Sequence, residues 1–246
     1  MFYYLLTTAY DGTDFAGWAK QKNKKTIQGE IEKAFEKVAP NSKFRMVGAS
    51  KTDSGVHAKD QKVWTELSFE PNVSGFLLAI NKTLPIGIKI LKMEKIEKEY
   101  RVRNCKYKIY MYSIKFNNLD ISNNRFSYFS KRILDLNKLK KALKCFEGKH
   151  NFINYSGLNE AEAKEINPNR SVDKIWVKKS NDGYQIFFKA KGFIRYQIRM
   201  MMGATIAFAN NKIDLNKIIN VLNLKDKKMP YKAESCGLTL LKIVNN

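Results

Sequence analysis

Three cysteines, two histidines and five prolines are all that the 246 residues hold of those types. Cys105, Cys145 and Cys236 lie far apart, are odd in number and form no Cys-x-x-Cys pair. That spacing argues against a disulfide framework and against a zinc site. With only His57 and His150 to offer, the chain is not expected to bind a transition metal. No apolar run approaches the length a bilayer demands, and the opening residues lack both a basic leader and a cleavage signal. A soluble, cytoplasmic protein without membrane contact is therefore expected. Acidic residues are scarce as well. Twenty-three Asp and Glu face 45 Lys and Arg, for a formal net charge of +22. A field of that sign attracts polyanions, chiefly nucleic acid or an anionic membrane surface. Because Lys far outnumbers Arg, a lysine-biased genome would supply part of the excess without any partner. Tyr and Phe accompany the basic residues, as base-stacking surfaces require, and this favours nucleic acid.

What is present reads as one large domain or two small ones, long enough to bury a core. Residues 2–10 predict a strand ended by Asp11-Gly12. Ile27, Ile31, Ala34, Phe35 and Val38 follow helical spacing, with Thr26 as N-cap and Pro40 beyond the end. Strands are expected over 43–47, 63–69 and 86–96, and a short helix over 74–82. The pattern starts again after Tyr100-Arg-Val-Arg103. Strands are expected at 106–116, 172–179, 184–191 and 238–244, with the turn Asn181-Asp-Gly183 between the second and third. Leu136, Leu139, Ala142, Leu143 and Phe146 make a helical face, and residues 193–209 and 215–222 read as two further helices. Residues 117–124 read as a polar loop, and 148–169 as a long mobile one. This cadence predicts an α+β fold, a mixed and mainly antiparallel sheet with helices, in two halves at 1–104 and 105–246.

Between the second and third expected strands lies Gly48-Ala-Ser-Lys-Thr-Asp-Ser-Gly-Val-His-Ala58. Small residues, a permissive glycine and one carboxylate, Asp53, sit between two strands, where a fold can present a reactive side chain. Taken alone it also reads as a polar turn in which Asp53 caps local amides.

This stretch resembles the Gly-Ala-Gly-Arg-Thr-Asp-Ala-Gly-Val-His-Ala segment of the tRNA pseudouridine synthase A family. Tyr10-Asp-Gly-Thr-Asp-Phe-Ala-Gly-Trp18 with Thr26-Ile-Gln28 resembles the family's N-terminal signature. The segment 81–85, the Arg103 region, Tyr110-Met-Tyr112 and residues 193–203 follow in family order, so the likeness covers essentially the whole chain. It implies two ferredoxin-like halves forming the pseudouridine synthase fold around a basic central cleft. It implies isomerisation of uridine to pseudouridine in the anticodon arm of tRNA, at positions 38, 39 and 40, with no cofactor, by a homodimer.

Asp53 matches the family's catalytic carboxylate, which would add to the sugar or take a proton from it. Arg199 matches the active-site arginine, whose planar fork holds a carboxylate in one orientation and keeps it charged; Asp53 is the named partner. Tyr110 matches the tyrosine that packs on the target base, and an aromatic floor suits an extruded uracil. Leu238, or Leu240 beside it, stands where the family places apolar packing next to the uracil. Arg103, Lys106, Lys108 and Arg195 are expected to contact RNA phosphates, and His57 to be structural or RNA-contacting. Lys51 stands where the family usually has arginine and is expected to meet the substrate with altered geometry. Ser50 replaces a glycine, Ala19 a glutamine and Cys105 a small alanine. One residue fewer separates Arg103 from Tyr110, so a bulge or register change is expected there. The rival reading is a non-catalytic tRNA-binding or RNA-chaperone protein on the same scaffold, and Lys51 is its support.

Overall fold

The computed structural model describes residues 1–116 and 125–245, so the polar loop expected over 117–124 lies outside the described residues. The chain divides into two compact units, Met1–Lys106 with Thr239–Asn246, and Tyr107–Leu238.

The first unit runs β1 (Phe2–Tyr10), α1 (Ile27–Val38), β2 (Phe44–Gly48), β3 (His57–Leu67), α2 (Val73–Thr83) and β4 (Ile88–Lys95), joined by β10 (Leu238–Asn245) from the far end of the chain. β1 lies antiparallel between β3 and β4, and β2 is antiparallel to β3, giving the order β4-β1-β3-β2. At eleven residues, β3 is long enough to take two partners on one edge. Its end, Val63 to Leu67, pairs with β2, while its start pairs in parallel with β10 through Thr239↔His57 and Leu240↔Ala58. Helix α1 forms because its apolar residues recur at helical spacing and Thr26 caps it by accepting from the Gly29 N–H. Ile27, Ile31, Ala34 and Phe35 are its buried side, and Phe35 meets Phe76 of α2 edge-on at 5.2 Å.

The second unit is built from β5 (Cys105–Phe116), β6 (Tyr128–Ser130), α3 (Leu136–Lys144), β7 (Gly148–Asn151), α4 (Glu160–Glu165), β8 (Asn169–Ser180), β9 (Gly183–Ala190), α5 (Gln197–Ala209) and α6 (Leu215–Leu222). Strands β5-β9-β8-β7 form an antiparallel sheet, and β6 adds in parallel to the end of β5. Helix α5 is buried almost all round, as an evenly apolar sequence demands of a core helix. Tyr112, Ile186, Phe188, Met201 and Met202 are fully buried with it. The fold is thus α+β with a mixed, mainly antiparallel sheet.

Several local expectations shift. Residues 148–169 hold a strand, a turn of 3-10 helix and α4 rather than one long loop. β7 exists only because Gly148–Asn151 finds residues 169–172 as its partner, a contact with no local signature. The β5–β9 register runs unbroken from Lys108↔Ala190 to Lys115↔Gly183, so the expected bulge is not in that ladder. The chain turns upstream instead, where the Asn104 N–H donates to the Arg101 carbonyl at 2.8 Å. Among the described residues, no helix is long and apolar enough to cross a membrane.

Candidate active site

Asp53 sits in the loop between β2 and β3, and the segment 10–18 holds that loop at Thr52, Ser54 and Gly55, on both sides of the carboxylate. The Tyr10 hydroxyl accepts from Gln61 Nε2 at 3.4 Å and shares a hydrogen bond with Thr52 Oγ1 at 2.7 Å. The Gln61 amide also clamps Ser50, accepting from its N–H at 3.1 Å and donating to its carbonyl at 2.6 Å. The Trp18 N–H donates to the Thr52 carbonyl at 3.0 Å, while Ser54 Oγ and the Gly55 N–H both donate to the Phe15 carbonyl. Two glycines make this approach feasible. A Cβ on Gly17, whose φ is +96°, would stand 2.8 Å from the Thr52 carbonyl oxygen. A Cβ on Gly48 would stand 2.4 Å from Trp18 Nε1.

Asp53 itself is half-buried and opens a four-residue turn, its carbonyl accepting from the Val56 N–H at 3.2 Å. Gly55 at φ +74° supplies the positive angle that a type II turn needs at its third residue. The backbone on both sides of the carboxylate is therefore fixed, as a site that must aim one reactive group requires. The signature at 10–18 and the Asp53 loop, read as separate motifs in the sequence, are a single interlocked object.

The second unit carries a basic and aromatic shelf. Tyr110 lies on β5, 9% exposed, with its ring edge-on to Phe193 at 5.5 Å. Two residues on, Tyr112 is buried and its hydroxyl donates to the Glu234 carbonyl at 2.9 Å. Burial pushes the Tyr112 phenol well up, and the nearby Arg199 charge opposes that rise without cancelling it. Arg199, in the first turn of α5, is half-buried and stitched to Ala233 twice. Its Nε donates to the Ala233 carbonyl at 2.9 Å, and its own carbonyl accepts from the Ala233 N–H at 2.9 Å. The Tyr196 ring has three cations over it, Lys232 at 4.3 Å, Arg199 at 5.2 Å and Arg195 at 5.8 Å.

A sequence profile described as tRNA pseudouridine synthase matches residues 142–244. The tRNA pseudouridine synthase A of Mesoplasma florum is 43% identical over 99% of this chain and 99% of its own length. The chain belongs to the tRNA pseudouridine synthase A family. The namesake proteins of Mycoplasma mycoides and Spiroplasma kunkelii are 41% and 39% identical, over 98% and 99% of this chain and 97% and 94% of theirs.

The other residues matched to the family's site fall in varied surroundings. Lys51 is exposed on the Asp53 loop. Arg103 is exposed, and its Nε reaches the carbonyl of Gly48, where the loop begins, at 3.5 Å. His57 is 2% exposed, and its Nδ1 accepts from the Gly12 N–H at 3.0 Å, so it ties the Asp11-Gly12 turn to β3. Lys106 is exposed, but Lys108 is buried at 9% exposure in β5. Leu238 is 5% exposed in the second unit, and Leu240 is fully buried in the first, opposite Ala58. Arg195 is exposed yet engaged, with both terminal nitrogens on the Glu162 carboxylate at 2.6 Å and its Nε on the Gly157 carbonyl at 3.0 Å.

Sequence reasoning passed over Thr52, Gln61 and Tyr196. Thr52 and Gln61 have no chemistry of their own to flag them. Tyr196 adopts φ +62° at the mouth of α5, a costly left-handed angle for an aromatic residue. An apolar run gives no sign of such an angle, so residues 193–196 read as helix when α5 begins at Gln197.

Proposed function

We propose that this protein isomerises uridine to pseudouridine in the anticodon arm of tRNA, at the positions named above, as a cytoplasmic homodimer. What carries the reading is identity of about two residues in five, over nearly the full length, with proteins called tRNA pseudouridine synthase A. In the reaction the bond from uracil N1 to ribose C1′ breaks, the base turns while still held, and C5 joins C1′. The C5 hydrogen leaves to solvent and N1 gains one, so nothing external is consumed. Asp53 acts on the sugar, as nucleophile or as base. Its fixed backbone supports that role, because a displaced carboxylate loses reaction rate steeply. Tyr110 supplies an aromatic face for the uracil, with Leu238 as apolar packing, and Arg199 is the active-site cation. Lys51, Arg103, Lys108 and Arg195 belong to the RNA-binding side of the reading, while for His57, read as structural or RNA-contacting, the 2% exposure and the bond from the Gly12 N–H support the structural role.

The test is tritium release from tRNA labelled at C5 of uridine. The wild-type protein is expected to release it, and Asp53→Ala is expected to reduce turnover by at least about 10³-fold while binding tRNA within a few fold. Turnover that survives in Asp53→Ala removes the assignment.

A further inference from the structure

The first unit has a concave feature whose lining does not include Asp53. Residues 98–103 border Val47 of β2 and its cross-strand partner Trp64 of β3, leaving a recess of about 210 Å³. Arg45, Lys98, Arg101 and Arg103 line it, and no carboxylate does. Glu66 is the cross-strand neighbour of Arg45 but is not part of the lining. Among the described residues, Arg45, Lys98 and Arg101 have no ion-pair partner. The Trp64 indole N–H is buried and, among the same residues, has no acceptor. Tyr100 completes the wall, its hydroxyl accepting from Asn245 Nδ2.

Four cations gathered at one small concavity repel each other, and an anion among them turns that repulsion into attraction. The recess is smaller than the roughly 300 Å³ at which cofactor pockets begin, so it suits one phosphate and its sugar. Arginine forks grip phosphate bidentately, and an aromatic wall beside them takes the face of a ribose or base. We propose that this recess binds a backbone phosphodiester of the RNA substrate, with Arg45 and Arg101 as its direct ligands. The proposal rests on the tRNA reading and extends it to residues that the family match leaves without a role. Arg103 belongs to both features, since it lines the recess and holds the Gly48 carbonyl. A phosphate seated here would fix the arginine that anchors the start of the Asp53 loop, which makes Arg103 a positioning residue.

The experiment compares tRNA binding across a range of salt for the full-length protein, for Arg45→Gln/Arg101→Gln, and for Lys140→Gln/Lys141→Gln on the exposed side of α3. The two variants lose the same net charge. Each lost phosphate contact is expected to reduce the slope of log K against log salt by roughly 0.7 to 0.9, so the recess variant should fall by about 1.4 to 1.8 and bind on the order of tenfold more weakly. The α3 variant should change the slope by less than half as much. Equal responses of the two variants, or an unchanged slope in the recess variant, overturn the proposal and leave a solvated cluster of surface cations. Arg101→Gln alone removes an exposed side chain and should give half the effect, which keeps the test decisive if the double variant folds poorly. Tritium release by the parent separates this proposal from the one it rests on. A parent that turns over while the recess variant keeps its slope loses only the recess. A parent that never turns over, with the slope change present, keeps the recess and loses the isomerase.

Discussion

The loop that carries Asp53 is held by its neighbours, and the most exacting of these is Tyr10. Its hydroxyl is the middle of a relay that runs from Gln61, which donates to it, to Thr52, the residue before the carboxylate, with which it shares a hydrogen bond. Tyr10→Phe keeps the ring against Trp18 but leaves the buried Thr52 hydroxyl without that partner. The expected loss is about 1–3 kcal/mol of stability, read by urea unfolding. A tenfold or larger fall in kcat with KM little changed should accompany it, since the aim of the carboxylate suffers rather than tRNA binding. An unchanged kcat would show that the relay serves folding alone. At this scale the sequence singles out Asp53 through the distinctive segment that carries it. It left His57 open between two roles, because a histidine's burial depends on what folds over it. Arg195 illustrates the same limit, as no spacing rule announces that Glu162 takes its fork.

Elements set where those residues point, and α4 is the one most dependent on charge. It spans six residues, too few to persist unaided, and is held by a capping box between Asn159 and Glu162. The Asn159-x-x-Glu162 spacing was visible in the sequence, though the surrounding polar run read as loop. The hydrogen bond from Arg195, and then that from the Asn159 backbone N–H, hold the Glu162 carboxyl below its ordinary value. A lowered folded value stabilises the segment fully above the unfolded value of about 4.3. That stabilisation is lost as pH falls through the folded value. Amide exchange over residues 159–166 should therefore accelerate on acidification below about pH 4, earlier than global unfolding. Glu162→Gln should show fast exchange at all pH values; slow exchange in that variant would show that the segment holds without the ion pair. Helix α5 teaches the complementary lesson. Its apolar content was plain, but its start was displaced to Gln197 by a left-handed Tyr196, whose ring lies so close over Gly157 that an added Cβ there would stand 2.2 Å from it.

Over the whole molecule, the chain's end belongs with its beginning. Thr239 onward joins the first unit, where Leu240 and Ile243 are buried and the Ile243 N–H donates to Asp60 Oδ2 at 2.9 Å across 183 residues. Deleting residues 239–246 removes two buried aliphatic side chains at roughly 2–5 kcal/mol each and leaves the start of β3 with an unpaired edge. The truncated protein should lose its cooperative unfolding transition or fall out of solution, as circular dichroism and solubility would report. A truncation that unfolds at the parent's denaturant midpoint would contradict this account. The net charge of +22 also acts at this scale, since it concerns association with polyanions and not the fold.

The sequence by itself determined the α+β class, the placing of most helices and strands, the basic and aromatic character, and the family through its motifs. Each of these rests on residue identity or on short-range periodicity, which the chain carries without folding. Only the tertiary structure decided that the 10–18 signature locks the Asp53 loop, that His57 and Lys108 are buried, that β10 returns to β3, and that four cations surround one recess beside Trp64. Those facts depend on residues 40 to nearly 200 positions apart meeting. Such closures leave no local trace, because the amino acids that make them are ordinary ones in their own neighbourhoods.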